Sequence, residues 1–208
     1  RQGDRATAAL HWEELRVPFE ITVPDVNDLY VAEIRRELQS SAGFSWPNWM
    51  QAAQFAVQNQ VNLEEALTWA ESAISAPFVG NENFNTLGTK AQVLNALGRD
   101  EEADAVMQQA INHPTANVGQ IHGYGRLLQT QGRTADAIRV FKLNGERHGD
   151  TWPVHVGLAR AYSAEGDYEK ALVHAKKARE QAPDPVNQGN LDQAIEILER
   201  GEDFNATN

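Results

Sequence analysis

Residues 151–183 of the chain read TWPVHVGLARAYSAEGDYEKALVHAKKAREQAP. Apolar residues recur at helical spacing on both sides of Gly166-Asp167, so this stretch predicts a helix, a tight turn and a second helix. Two antiparallel helices approach closely only where side chains are small, and we expect Ala159 and Ala171 to face each other at the crossing. The stretch is therefore predicted to form a helical hairpin.

The turn of this hairpin recurs at a fixed period. Gly98, Gly132 and Gly166 stand 34 residues apart, and an alanine follows each glycine by five residues. A period of this length indicates like units that stack side by side. Each predicted helix has about 12–15 residues, a length at which an isolated helix is marginal in water, so stacking supplies most of the stability.

The positions that carry the pattern are Leu158, Ala159, Tyr162, Gly166, Ala171, Ala178 and Pro183. This pattern resembles the tetratricopeptide repeat (TPR), in which tryptophan, leucine, glycine, tyrosine, alanine and proline occupy set offsets. The resemblance implies an all-α fold, an α-solenoid of about four TPR-like helical hairpins with a C-terminal capping helix. A short N-terminal β-strand segment and a connector helix precede the hairpins.

The chain divides into four predicted segments. Residues 1–24 are the terminal strand or strands of a truncated β-domain, and residues 25–43 form the connector helix. Residues 44–184 hold four repeats, at about 45–76, 84–114, 117–149 and 151–183. Residues 185–208 form the capping helix and a frayed tail from residue 202 onwards.

The N-terminal segment alternates strictly between apolar and polar residues. From Leu15 to Val23 every second residue is apolar, which predicts a half-buried strand, and Pro18 places it near a sheet edge. Leu10 and Trp12 continue the alternation, but the phase shifts by one residue before Leu15. This shift indicates either a bulge or a second short strand.

The run LHWEELRVPFEI at residues 10–21 resembles the last strands of an uncharacterised bacterial β-domain. In that family a helical region similar to residues 44–200 follows the strands. The resemblance implies that a β-domain stands upstream and that the parent protein is exported or periplasmic, while a cytoplasmic location stays open. The first residue is Arg1 rather than methionine, which predicts that the native start is missing.

Composition narrows the function classes. The net charge of −11 disfavours nucleic acid and anionic membranes as partners, because both carry the same sign as the protein. Without cysteine there is no disulfide, thiolate metal site or cysteine nucleophile, and no stretch has the length and apolarity of a membrane span. The six histidines show no metal-ligand spacing, so we expect no metal, no cofactor and no catalytic residue.

The first helix of each repeat is expected to line the concave side of the solenoid. Superposing the repeats assigns to this predicted groove Gln54, Gln92, Asn95, His122, Arg126, Gln129 and Arg160. Amide and guanidinium groups together suit a carboxylate or an extended peptide backbone. In the alternative, Arg126 and Arg160 pair with neighbouring acids on a solvated face.

Three functions follow from these predictions. The first is a non-enzymatic protein–protein interaction scaffold that binds a peptide or protein segment in the groove. The alternative is a structural brace that docks on its own upstream β-domain, and a third possibility is an accessory part of an enzyme. The sequence leaves the partner's identity and the oligomeric state open.

Overall fold

The structure, a computed structural model, describes residues 5–207 of the chain. Within them a two-stranded sheet is followed by ten α-helices and two short 3₁₀ helices. The predicted fold class is confirmed, since a β segment and a connector helix precede an array of helical hairpins. Residues 1–4 and Asn208, which belong to the predicted terminal segments, lie outside the described residues.

The helices pair in chain order. Four hairpins are formed by α2 with α3, α4 with α5, α6 with α7, and α8 with α9, and α10 packs on α9. The bounds are β1 Arg5–Trp12, β2 Leu15–Thr22, α1 Val26–Leu38, α2 Trp46–Asn59, α3 Leu63–Ser75, α4 Phe84–Ala96, α5 Asp100–Asn112, α6 Val118–Thr130, α7 Thr134–His148, α8 Trp152–Ala164, α9 Tyr168–Glu180 and α10 Pro185–Glu199, with 3₁₀ helices at Ser41–Phe44 and Phe204–Thr207.

The described residues divide into two compact units, one up to Pro114 and the other from Thr115 onwards. In the first unit, α1, α2, α3 and α4 share a core that contains Val31, Leu38, Trp69 and Val93. In the second unit, Ala159 and Ala171 are both fully buried in one cluster with Leu198. The small residues predicted to face each other at the α8–α9 crossing are therefore in the core.

In three hairpins a glycine ends the first helix with the same backbone conformation and the same hydrogen bond. Gly98, Gly132 and Gly166 have φ of 74°, 73° and 79°, a left-handed conformation that favours glycine. The N–H of the residue after each glycine donates to a carbonyl in the last turn of the helix, as from Arg99 to Leu94 at 2.9 Å. The 34-residue period of the sequence is the spacing of these helix ends.

Two hydroxyl residues at helix starts do not cap their helices. Neither Ser45 at the start of α2 nor Thr151 at the start of α8 accepts a capping hydrogen bond. Proline in the first turn of each helix removes one of the N–H groups that a cap would accept from. Asn83 and Asn117 do cap their helices, each in a reciprocal capping box, and Asp167 and Asp184 cap α9 and α10.

The N-terminal segment is a β-hairpin. Strands β1 and β2 pair antiparallel, with Trp12 opposite Leu15, so the phase shift in the sequence marks a second strand and not a bulge. The two intervening residues form the turn, and Glu13 has a positive φ of 49°.

One face of this hairpin is apolar and exposed. Paired residues share a face, which places Leu10, Trp12, Leu15, Val17 and Phe19 together. Trp12 is 78% exposed and Phe19 43% exposed. The prediction of a half-buried strand is wrong for the described chain, because no described element covers this face.

Phe141 of α7 lies between two glycines. A Cβ added at Gly125 of α6 would stand 2.5 Å from Phe141 Cε1, and one added at Gly157 of α8 would stand 2.7 Å from Phe141 Cδ1. Phe141 itself is 1% exposed. The two glycines therefore let the aromatic ring pack directly against the backbones of α6 and α8.

We expect Gly125→Ala to destabilise the protein by about 1–3 kcal/mol, because the added methyl group overpacks the Phe141 ring. Gly123 is the matched control: it lies exposed in the same helix, and a Cβ there would meet nothing within 4 Å. Gly123→Ala is expected to stabilise by about 0.5–1 kcal/mol through helix propensity alone. Urea unfolding followed by circular dichroism measures both, and equal effects of the two substitutions would contradict the packing account.

Candidate functional site

The second unit contains a cavity of about 490 Å³. Helices α6 and α8 contribute charged and aromatic side chains to its wall, α10 contributes amide and aliphatic ones, and Phe204 closes part of it. The lining residues are His122, Arg126, Trp152, Val156, Arg160, Asn187, Asn190, Leu191, Gln193, Ala194, Ile197 and Phe204. We call this space the α6–α8–α10 cavity.

Helical spacing places four side chains of α6 and α8 on this wall. His122 and Arg126 are four residues apart on α6, as are Val156 and Arg160 on α8, so each pair projects from one face of its helix. The ring of His122 lies 5.5 Å from that of Phe141, the residue that separates the two glycines of α6 and α8. The position of His122 in the cavity is thus tied to the packing of these two helices.

Arg160 is a half-buried cation. Burial, together with the charge of Arg126, lowers the pKa of Arg160 to about 10, although Asp203 acts to raise it. The guanidinium remains charged at neutral pH, since that pKa is well above 7. Neither Arg126 nor Arg160 forms an ion pair with a carboxylate of residues 5–207, so the predicted alternative of paired surface arginines is not what the structure has.

His122 is held in its neutral form. Burial and the positive charges of Arg126 and Arg160 lower the pKa of His122 to about 4, against a hydrogen bond to the Pro153 carbonyl that raises it. At neutral pH the cavity therefore carries its positive charge on the two arginines.

Two hydrogen-bond donors of the wall are buried without a partner among the described residues. These are Nε1 of Trp152 and Nε of Arg160. Both groups only donate, and a buried donor without an acceptor costs roughly 1–3 kcal/mol. A ligand that brings oxygen acceptors into the cavity would satisfy them.

The residues of the predicted groove belong to both units. His122, Arg126 and Arg160 line the α6–α8–α10 cavity, while Gln129 donates from Nε2 to Asn205 Oδ1 at 3.2 Å. In the first unit Gln54 donates to Thr89 Oγ1 at 3.1 Å, and Gln92 and Asn95 are exposed on α4. That these seven residues act as one binding surface stays a prediction.

The C-terminal segment is docked, not frayed. Phe204 is 7% exposed and packs in the cluster of Ala159 and Leu198, and Ser163 donates to Asp203 Oδ1 at 2.6 Å. Sequence reasoning missed this contact, for which the one signal was a phenylalanine within an otherwise polar tail.

A histidine cluster lies between α8 and α9. His155 is buried, contacts Asp150 through Nε2 and approaches His174, with 2.9 Å between the two Nδ1 atoms. The ring of Tyr162 stacks on that of His174 at 5.5 Å. Within residues 5–207 no group of histidine and acidic side chains has the arrangement of a metal site. The same residues include no helix long and apolar enough to cross a membrane.

We expect the stability of the protein to fall between pH 6.5 and about 4 in part because of His122. Its pKa is lower in the folded state, so the unfolded chain takes up a proton first as the pH drops, and stability present above pH 6.5 is lost towards pH 4. In the His122→Gln variant this loss is expected to be smaller, by at most about 3 kcal/mol.

Urea unfolding at several pH values measures this difference. The control is His11→Gln, because His11 is exposed on β1. Unfolding free energies of the wild type and of His122→Gln that run parallel across this pH range would contradict the assignment.

In a comparison with known protein families, one helical hairpin of the chain matches a family model. A family model described as tetratricopeptide repeat matches residues 152–177, which comprise α8 and most of α9. No curated protein matches the chain significantly. A solved structure that matches is YrrB, described as a TPR protein with an unusual peptide-binding site, with 21% identity, a TM-score of 0.49, and coverage of 81% of this chain and 85% of that chain. Residues 152–177, in the fourth helical hairpin, are therefore similar to a tetratricopeptide repeat.

Proposed function

We propose that the chain is a non-enzymatic protein-interaction scaffold and that the α6–α8–α10 cavity binds a peptide or protein segment carrying a carboxylate. Stacked helical hairpins expose extended surfaces on their first helices, which is how repeat proteins bind partners. Fold alone does not assign a function, so the proposal depends on the chemistry of the cavity.

The observation that carries the proposal is an unneutralised pair of arginines in an acidic protein. The net charge of the chain is −11, yet Arg126 and Arg160 stand together on the cavity wall without an ion pair among the described residues. Arginine forms strong, often bidentate hydrogen bonds with carboxylates. A partner carboxylate would therefore gain both charge neutralisation and fixed geometry here.

The unpartnered donors and the aliphatic side chains of the cavity suit the rest of a peptide. The free donors of Trp152 and Arg160 match backbone carbonyl oxygens, while Leu191, Ala194 and Ile197 offer an aliphatic surface for a side chain. These groups bind and orient, and His122, with its pKa of about 4, is a weak base. Binding without chemistry is the function that these residues support best.

We expect Arg126→Gln to weaken the binding of acidic peptides about tenfold. This factor corresponds to the loss of ~1.4 kcal/mol of binding free energy, which is what one charge-assisted hydrogen bond contributes. Binders are first selected from a displayed library of short peptides, and their affinities are then measured by fluorescence anisotropy at low and high salt. Arg139→Gln is the matched control, since it removes the same charge from the same unit at a side chain that pairs with Asp136 on α7.

Two results would contradict this proposal. In the first, the selected peptides show no preference for acidic residues. In the second, Arg126→Gln and Arg139→Gln bind them equally well.

A second candidate function is supported by the β-hairpin. Its apolar face is exposed from Leu10 to Ile21, and two strands alone are rarely stable in water. A structural brace explains this face if it packs on the upstream β-domain that the sequence resemblance implies. Export of the parent protein is a proposal on the same ground.

The brace is tested in the intact parent protein with Val17→Glu/Phe19→Glu, which places two charges on the apolar face. We expect the melting temperature of the β-domain to fall, while Thr7→Glu on the opposite face of β1 leaves it unchanged. Light scattering tests the alternative that the present chain self-associates through this face. If the chain self-associates and the double variant does not, the apolar face binds a second copy of the chain and the brace proposal is wrong.

A further inference from the structure

Asp203, Phe204 and Asn205 of the C-terminal segment contact α6 and α8, which are the first helices of the two hairpins in the second unit. Ser163 Oγ donates to Asp203 Oδ1 and also accepts from the N–H of Phe204 at 3.2 Å. Asn205 Oδ1 accepts from Gln129 on α6 and from Arg160 Nη1 on α8, each at 3.2 Å. Asn205 also donates from Nδ2 to the Arg160 carbonyl at 3.0 Å.

Each of the three residues contributes a different chemistry. Asp203 offers a carboxylate to a hydroxyl, and Phe204 places its ring 5.4 Å from the Arg160 guanidinium. The carboxamide of Asn205 bridges α6 and α8. An acidic residue, an aromatic residue and an amide residue in sequence are therefore recognised by side chains of two hairpins.

The segment holds its own shape. Asp203 Oδ1 accepts from the backbone N–H of Asn205 at 3.0 Å and from its Nδ2 at 2.7 Å, which closes a local turn. The same three residues in a separate peptide carry the groups that form this turn. To the extent that the turn forms in the free peptide, it lowers the conformational entropy that opposes binding.

The docked segment leaves much of the site unused. Nε of Arg160 remains without a partner, and the α6–α8–α10 cavity stays open beside Phe204. The connection to α10 passes through Gly201, with φ of 74°, and the exposed Glu202. Release of the segment requires a change of backbone conformation at these two residues and takes Phe204 out of its cluster with Ala159 and Leu198.

We propose that residues 203–205 are an internal stand-in for the partner, and that the partner presents an acidic, aromatic and amide residue in sequence to Ser163, Arg160 and Gln129. This inference rests on the proposed function, because it names the segment that the scaffold binds. The internal copy competes with the partner, since a short tether keeps it at an effective concentration on the order of millimolar. The apparent affinity for the partner is reduced by the fraction of molecules that are open.

The test uses the full chain and a fluorescent peptide of residues 200–206, RGEDFNA, acetylated and amidated so that its ends carry no charge. The Asp203→Ala/Asn205→Ala variant retains the apolar Phe204 side chain but loses the side-chain hydrogen bonds that hold the internal copy in place, so a peptide displaces the segment, Phe204 included, more readily. We expect this variant to bind the peptide at least about tenfold more tightly than the wild type. A peptide with the same two alanine substitutions is expected not to bind.

Glu199→Ala is the matched control for the chain, because it removes one carboxylate that pairs with Lys176 outside the site and outside the connection at residues 201 and 202. It is expected to bind the peptide as the wild type does. Thermal melting followed by circular dichroism verifies that each variant is folded. If the double variant does not fold, Asp203→Asn is used in its place and is expected to show the same direction of change.

Absence of peptide binding to the opened variant overturns the inference, and so does equal affinity for the opened variant and the wild type. The two proposals fail in different ways. If acidic library peptides bind with a dependence on Arg126 and RGEDFNA does not, the inference fails alone. If RGEDFNA binds and Arg126→Gln has no effect on any peptide, the carboxylate-binding role of the cavity fails alone.

Discussion

The contact on which the candidate site depends is the packing of Phe141 between Gly125 and Gly157. A ring that touches two helix backbones determines how far apart α6 and α8 lie, since neither helix has a side chain there to yield. His122 and Arg126 belong to the first of these helices and Arg160 to the second. The spacing of the charges on the cavity wall is thus set by van der Waals contacts in the core, not by contacts among the charged groups.

The electrostatics of the second unit follow from that arrangement. Two guanidinium groups on adjacent helices raise each other's energy, and the lowered pKa values of Arg160 and His122 report this repulsion together with burial. The C-terminal segment relieves part of it, because Asp203 brings a carboxylate near Arg160. An anionic or strongly polar group beside the two arginines lowers this electrostatic energy.

The sequence was sufficient for the local structure of the array. Glycines at a fixed period predict the hairpin turns because a left-handed residue is required there, and alanines at a fixed offset predict the close crossings. The sequence also assigned His122, Arg126 and Arg160 to one surface, and all three line the α6–α8–α10 cavity. This was possible because helical periodicity determines which residues share a face of a helix.

What could not be predicted depends on contacts distant in sequence or on competition between groups. The docking of Phe204 needs a hydrophobic cluster contributed by α8, α9 and α10, which no local pattern reveals. Ser45 and Thr151 leave α2 and α8 without a side-chain cap, because a proline in the first turn of each of these helices has removed an N–H group. The exposed face of the β-hairpin follows the predicted alternation, but alternation does not specify what covers a strand.

The order of the helix contacts bears on how the protein is made. Most contacts between helices join elements that are adjacent along the chain, so few long loops must close before stabilising contacts form. Such a topology folds quickly, typically in microseconds to milliseconds, and does not require distant strands to find each other. During translation each hairpin can therefore form as it leaves the ribosome, and its remaining contacts form when the next hairpin has been synthesised.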